Sequence, residues 1–438
     1  MNADAGKTTH DDNQRKGPAF PRVPSTFRQI QQNSDCYDPS VVSIGPYHHG
    51  NTKLKEMEKL KETYAREFVK DSKKLIADID SEVEAVLRIA KKLYPEDARG
   101  NFNDEQLAKM MFLDGCFILQ FMHCLNGENE DLKMSEQQIF LVKRDLLLLE
   151  NQLPFEVLIS LGKKSSKYQY LKAFLSERSV SLDWSPPPPR EEKSGTRDDE
   201  ADDEPQPAHP PPTRKEKSGK RDDERQPAHL LELLYYKSMY HYSKSNHKKA
   251  AKGSRGHCLY YSAKSLKKVG ILFGARWTGA VTDVKFKSSI FWGTLKVPPI
   301  IIDESAKSLL LNLVAYETSA ALDQLWVSSY ICFMDSLIDD AKDVKELRSN
   351  GIIINYLGAD QKVANLFNDM GRSIHDTAAY NDIKMEINKQ CESTVKRWVY
   401  EWKRTYFSNP WTIITVLAAS FGLALTATQT YYTRYPPK

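Results

Sequence analysis

The sequence predicts a mainly α fold: a helical body with a small β-hairpin element and one C-terminal transmembrane helix. Three observations predict it. Apolar residues recur three and four apart along most of the chain. One stretch, residues 269–302, instead sets single apolar residues among Gly and Ser, the pattern of short strands. Finally, no charged residue occurs from Thr405 to Thr433.

The bulk numbers suit a folded body. Of 438 residues, 40% are hydrophobic and 27% charged, as in soluble-type domains. Lys and Arg number 62 against 58 Asp and Glu, a net charge of +4. That balance gives no case for a nucleic-acid partner. Residues 1–17 are polar and lack the apolar core of a secretory signal. The cysteines Cys36, Cys116, Cys124, Cys258, Cys332 and Cys391 form no C-x-x-C pair. Free thiols in a reducing cytosol, with no metal or cofactor, are therefore expected.

In chain order, residues 1–19 are expected to be disordered and residues 20–185 to form an N-terminal helical part. Residues 20–50 carry dense Pro, Gly and Asn and read as extended chain and turns. Leu54, Met57, Leu60, Tyr64 and Phe68 make one helical stripe, with Lys and Glu filling the other face. A second helix is expected over residues 81–93. Residues 110–122 are apolar nearly all round, which predicts a helix at the centre of a core, too short for a bilayer span. Ser135 and Gln138 form a capping-box pattern. The helix they open is expected to carry Leu146, Leu147, Leu148 and Leu149 and to break at Pro154.

Residues 186–228 are low-complexity and near-duplicated: Glu192-Lys-Ser-Gly-Thr-Arg-Asp-Asp-Glu200 returns as Glu216-Lys-Ser-Gly-Lys-Arg-Asp-Asp-Glu224. So little apolar surface cannot offset the entropy of ordering, and a disordered loop is expected. A C-terminal part then covers residues 229–405. It opens with a helix over residues 229–240 and a basic loop over 243–256, expected to be solvated. Hairpins follow within 269–302. Asp303 is expected to cap a helix bearing Leu309, Leu313 and Tyr316. Further helices are expected over 321–340, 344–349, 361–370 and 380–404.

The last element is a predicted membrane anchor from Trp411 to Tyr432, within a span of residues 410–432 and ahead of a short tail, 433–438. About 20 apolar residues cross a bilayer. Trp411 and the tyrosines Tyr431, Tyr432 and Tyr435 suit the two interfaces, and Asn409-Pro410 suits a helix start. Lys396, Arg397, Lys403 and Arg404 precede the span whereas only Arg434 and Lys438 follow it. The heavier basic flank keeps the body cytosolic.

Two groups of polar residues are candidate sites. Tyr47, His48, His49 and Gly50 invite a metal or acid–base reading. Adjacent histidines share no helix face, however, and a turn with a positive φ at Gly50 that caps the next helix accounts for them. Asp114, Asp145, Glu150, Asn151 and Gln152 lie in or beside apolar runs. Paired carboxylates can divide acid and base roles. Asp145 and Glu150, five apart, would point about 140° away from each other on one helix. A buried hydrogen-bond network that ties helices together is the simpler reading.

Long ordered blocks of this chain resemble the plant domain-of-unknown-function-247 family. They include Arg22-Val-Pro24, Tyr37-Asp-Pro-Ser-Val-Val-Ser-Ile-Gly-Pro-Tyr-His-His-Gly50, Asp114-Gly-Cys-Phe-Ile-Leu119 and Asp145-Leu-Leu-Leu-Leu-Glu-Asn-Gln-Leu-Pro-Phe155. Asn312-Leu-Val-Ala-Tyr-Glu317 and the closing Tyr406-Phe-Ser-Asn-Pro-Trp411 continue the likeness. The resemblance implies a single-pass plant membrane protein with no established enzymatic activity. Some grass members are implicated in self-incompatibility. The expectation is a membrane-anchored protein-interaction module for recognition or signalling, whose partners are the lipid bilayer and another protein. The rival is an enzyme with a pocket near Asp114, Asp145 and Glu150.

Overall fold

The computed structural model describes residues 20–71, 93–100, 102–125, 133–164, 227–239, 262–277, 280–289, 292–374, 378–392 and 410–435. The helix expected at 81–93, the low-complexity tract and the basic loop lie almost wholly outside them. The described chain is mainly α, as the periodicity predicts.

The N-terminal elements are α1 (Ser25–Arg28), α2 (Lys55–Asp71), α3 (Glu96–Arg99), α4 (Asp104–Leu125), α5 (Glu136–Asp145) and α6 (Phe155–Lys164). Short 3-10 turns at Gln31–Cys36 and Thr52–Leu54 join the first of these. Helix α2 buries Met57, Tyr64 and Phe68 against α4, and Leu54 is buried in the turn just before it, so the predicted stripe is the packing face. Lys61 occupies a slot in that same stripe and is also fully buried. Helix α4 is long and apolar enough to cross a membrane, yet 72% of its apolar window is buried inside the body. It is a core helix.

The capping box at Ser135 is present: its Oγ accepts from the Gln138 N–H at 3.2 Å. Helix α5 stops at Asp145, ten residues on. The expectation that it continues through Leu146 to Leu149 is wrong. Those leucines belong to a turn over residues 146–152 whose side chains serve both halves of the core, Leu147 and Leu149 on one side and Leu146 on the other. An apolar run can be a buried turn when Asn and Gln side chains replace the missing helical hydrogen bonds. Pro154 stands just ahead of α6, where its lack of an N–H costs nothing.

Helix α7 (Leu230–Ser238) is capped by His229, whose Nδ1 accepts from the Glu232 N–H at 3.1 Å. The Phe155 N–H donates to the Ala228 carbonyl at 2.8 Å, so the start of α6 and the approach to α7 are adjacent in space. Helix α8 (Ala263–Lys268) leads into the strands β1 (Ile271–Ala275), β2 (Lys285–Ser288), β3 (Gly293–Val297) and β4 (Ile300–Ile302).

The strands exceed the hairpin expectation. β2 and β3 pair antiparallel as a hairpin does, but β3 also pairs in parallel with β1, giving the order β1–β3–β2. β4 leaves this sheet and pairs in parallel with β5 (Ile353–Asn355), fifty residues downstream. Parallel pairs need a crossover, and local patterning cannot reveal the partner.

The remaining helices are α9 (Ala306–Ser319), α10 (Trp326–Leu337), α11 (Ala341–Ser349), α12 (Asp360–Gly371) and α13 (Asn381–Glu392). Asp303 does not cap α9. Its Oδ1 accepts from the Ser305 N–H and hydroxyl at 2.9 and 2.8 Å, forming a turn one step earlier. The helix expected from 321 begins at Trp326, because the chain first turns at Ala321, which has a positive φ of 49°. Buried side chains from residues 231–391, with Val23, Tyr37, Leu147 and Leu149, form one cluster with the sheet, and others from residues 20–161, with Leu230, form the second.

Helix α14 (Pro410–Arg434) starts at the proline, as expected. Its described apolar side chains are exposed, among them Leu417, Phe421 and Leu423, the last at 73%.

Candidate functional site

The turn at 146–152 is the polar centre of the N-terminal part, and it grips the extended segment at 40–45. Asp145 ends α5 with a fully buried carboxylate. Its Oδ2 accepts the N–H groups of Ser40, Val41 and Val42 at 2.9, 2.8 and 3.1 Å. Arg144 reaches its Oδ1 at 3.2 Å and also donates to the Ser40 hydroxyl and the Asp35 carbonyl, both at 2.6 Å. Asn151 reads the next residues along: Oδ1 accepts from Ile44 N–H at 2.6 Å, and Nδ2 donates to the Val42 carbonyl at 3.1 Å. Backbone that a sheet would normally satisfy is here satisfied by side chains.

Gly45 completes the grip. Its N–H donates to Asp114 Oδ2 on α4 at 2.8 Å, and its φ is +72°. A Cβ there would lie 2.7 Å from the Gln152 carbonyl oxygen and 2.9 Å from the Tyr94 hydroxyl, so only glycine fits. The other oxygen of Asp114 takes the Lys61 ammonium at 2.7 Å. Lys61 also meets Glu58 at 2.7 Å and donates to the Ser43 carbonyl. A fully buried lysine is tolerated because all its protons find acceptors. Burial pushes the Asp114 carboxyl up from its usual range, and the Lys61 charge opposes that shift.

Glu150 and Gln152 extend the network. Glu150 accepts from the Val23 N–H at 2.8 Å and from Arg28 at 2.6 Å. Gln152 donates to the carbonyls of Leu146 and Leu148 at 2.8 and 2.7 Å, while its Oε1 accepts from the Leu231 N–H at 3.0 Å. The Leu149 N–H goes to Asn312 Oδ1 on α9 at 2.8 Å. One seven-residue turn therefore joins the N-terminal segment, α7 and α9, and that segment in turn bonds α4 through Gly45.

Asp114, Asp145, Glu150, Asn151 and Gln152 thus do act together, as the network reading anticipates. The premise that Asp145 and Glu150 share a helix is wrong, since Glu150 lies in the turn. The arrangement suits clamping more than acid–base chemistry. Burial pushes the Asp145 carboxyl up, and the N–H groups of Val41, Ser40 and Val42 pull it back toward the ionised form. Asp145 and Asp114 hold the two ends of residues 40–45 and Glu150 holds Val23 and Arg28, each through donors of its own.

The histidine group stands apart from this centre. Gly50 has the expected positive φ, +83°. The helix that follows is capped by Asn51, which accepts from the Lys53 N–H at 3.0 Å, and not by either histidine. His49 is exposed with its ring edge-on to Phe102. Burial holds the His48 imidazole below its usual pKa. Tyr47 donates to the Phe20 carbonyl at 2.8 Å and lies under Arg22. Among the described residues no group of three His, Cys, Asp or Glu is placed to hold a metal ion.

Sequence reasoning missed Lys61, Arg28, Arg144 and Asn312. A signal existed for Lys61, which sits four after Met57 and three before Tyr64. It also missed Glu317 on α9, buried with Oε1 accepting from Val327 N–H at 2.7 Å and Oε2 from Ser328 N–H at 2.9 Å. Burial raises this carboxyl to about 7.

Comparison with known proteins agrees with these motifs. A UPF0481 protein of Arabidopsis thaliana is 28% identical over 93% of this chain and 84% of its own length. A putative UPF0481 protein of the same plant is 24% identical over 91% of this chain and 87% of its own. No solved structure matches. The family model described as plant protein of unknown function matches residues 20–425, which include the whole clamp, and the chain belongs to that family, DUF247.

Proposed function

We propose that this chain is a membrane-anchored protein whose helical body faces the cytosol and binds another protein in recognition or signalling. The observation that carries the anchoring is α14. Twenty-five helical residues extend about 37 Å, against roughly 30 Å of hydrocarbon. Ile414, Leu417, Phe421, Leu423 and Leu425 are all more than half exposed. Burying such side chains is worth about 1.5–3 kcal/mol each, and a bilayer supplies that burial.

The polar side chains of α14 support the same reading. Thr426, Thr428, Thr430 and Thr433 donate their hydroxyls to carbonyls four residues back, at 2.9, 2.8, 2.7 and 2.8 Å. A hydroxyl satisfied within its own helix is tolerated in lipid. The basic residues Lys396, Arg397, Lys403 and Arg404 ahead of the span favour a cytosolic body. The recognition role rests on the family resemblance and on a rigid body whose buried acids serve architecture.

The test is alkaline-carbonate extraction of the full-length protein and of a version ending at Ser408, with protease protection of an N-terminal tag on intact vesicles. Retention of the full chain, release of the truncation and digestion of the tag are the expected results. Release of both versions would refute the anchor, and a protected tag would reverse the orientation.

A further inference from the structure

The outer face of the three-stranded sheet has a composition that its place in the fold does not require. Along β3 the outward positions are Thr294 and Lys296, and exposed Trp292 just before the strand continues the alternation. β1 contributes Leu272, 43% exposed, and Gly274. β2 contributes Lys285 and Lys287. The register aligns Leu272, Thr294 and Lys287 in one row and Gly274, Lys296 and Lys285 in the next. Leu272 and Trp292 thus make an apolar patch on this face, and Lys287, Lys296 and Lys285 flank it.

Residues 271–297 hold four cations, Arg276, Lys285, Lys287 and Lys296, and a single carboxylate, Asp283. Asp283 is engaged by Arg276 and by Lys285, the latter at 3.3 Å. Among the described residues Lys287 and Lys296 meet no carboxylate within ion-pair distance. Lys285 and Lys296 stand directly opposite each other in an antiparallel pair, where like charges destabilise. Lysine on an edge strand protects against edge-to-edge pairing. That accounts for β2, but Lys296 is on the central strand. A Cβ built on Gly274, beside Lys296, would meet nothing within 4 Å, so the face is open there.

We propose that this sheet face docks on an anionic lipid surface, with Lys285, Lys287 and Lys296 on headgroup phosphates and Trp292 and Leu272 at the interface. Trp and Lys are the side chains that settle at headgroup level, and each lysine near an anionic surface strengthens binding about fivefold. The proposal rests on the anchored reading for its proximity argument. Ser288 of β2 donates to Gln390 of α13 at 2.7 Å, and α13 ends at Glu392, eighteen residues before α14 begins. The connection therefore keeps the sheet's partner helix within about 60 Å of the bilayer that α14 would enter.

The experiment uses the full-length protein with phosphatidylcholine vesicles and with vesicles carrying about a third phosphatidylserine, each also prepared with brominated chains. Wild type is compared with the triple variant K285Q/K287Q/K296Q and with W292F, their folds checked by circular dichroism. The expected result is an increment of bromine quenching of tryptophan emission with phosphatidylserine, above the neutral-vesicle level, that falls in high salt and is lost in W292F. The triple variant, with docking weakened about a hundredfold, returns to the neutral-vesicle baseline. Equal quenching on both vesicles, or a rise unchanged in the triple variant, would overturn the proposal. Binding of polyglutamate without any lipid response would overturn it in favour of an acidic protein partner. If carbonate releases the protein from both vesicles while it still floats with anionic ones through these lysines, the anchor fails and the docking face stands.

Discussion

Lys61→Met should be among the most damaging single changes in this protein. Methionine keeps the length of the stem inside α2 but removes the ammonium, leaving Asp114 with the Gly45 N–H as its remaining donor. Stranding one member of a buried ion pair costs about 3–5 kcal/mol. Asp114→Asn strands the opposite charge, although Glu58 still partners Lys61, and should cost about 2–3 kcal/mol. In the double variant neither charge is left alone and the amide oxygen still accepts from Gly45. Replacing a buried pair by neutral groups is often close to neutral, so the double should cost about 1–2 kcal/mol. The singles then overshoot the double by a coupling of several kcal/mol. The assay is urea unfolding of the full chain in a nonionic detergent, followed by circular dichroism. Singles that cost under about 1 kcal/mol, or that add in the double to within about 0.5 kcal/mol, would refute the clamp as described.

Other predictions test separate parts of the structure. Gly45→Ala should cost about 2–4 kcal/mol in the same assay, from the positive φ and from contact with the Gln152 carbonyl. Tyr94→Phe should not rescue it, because the backbone oxygen remains. Ser135→Ala removes the capping box of α5 and should cost about 1 kcal/mol. Glu317 gives a pH dependence: its folded pKa of about 7 lies above the usual 4.5, so the native state binds the extra proton. Stability from this group is full below pH 4.5, falls as pH rises toward 7, and is level above, a loss of roughly 3 kcal/mol. Asp335, raised by burial to about 6, slopes the same way over a lower window. The slope difference between wild type and Glu317→Gln between pH 4.5 and 7 isolates the Glu317 share, and equal slopes would refute it.

What the sequence made legible was local. The stripe of α2, the all-apolar α4, the capping box at Ser135 and the start of α14 at Pro410 are each written within a few residues. What it concealed was written at long range. Lys61 passed as a surface residue because its acceptors, Asp114 and the Ser43 carbonyl, are distant in sequence. Leu146 to Leu149 passed as helix because only Asn151, Gln152 and Asn312 reveal how a buried turn there satisfies its backbone. The partner of β4 lies beyond three intervening helices, so strand patterning suggested hairpins alone where the fold adds parallel pairs. The acids of the clamp were picked out by their apolar surroundings, but the segment they hold, residues 40–45, looked like featureless turn.

The hydrogen bond from Phe155 to the Ala228 carbonyl has a consequence for how this chain can change. It pins the exit of the long polar tract, at Ala228, to the start of α6, the helix that precedes the tract, beside the Gln152–Leu231 contact that locks α7 to the clamp. Material added or removed between those points meets a closed doorway. Halving or doubling the tract alters the closure entropy by only about 0.6 kcal/mol. The tandem copy between residues 192 and 224 is the kind of accident such a doorway absorbs. It also marks where a reporter domain can be spliced in while the body keeps its shape.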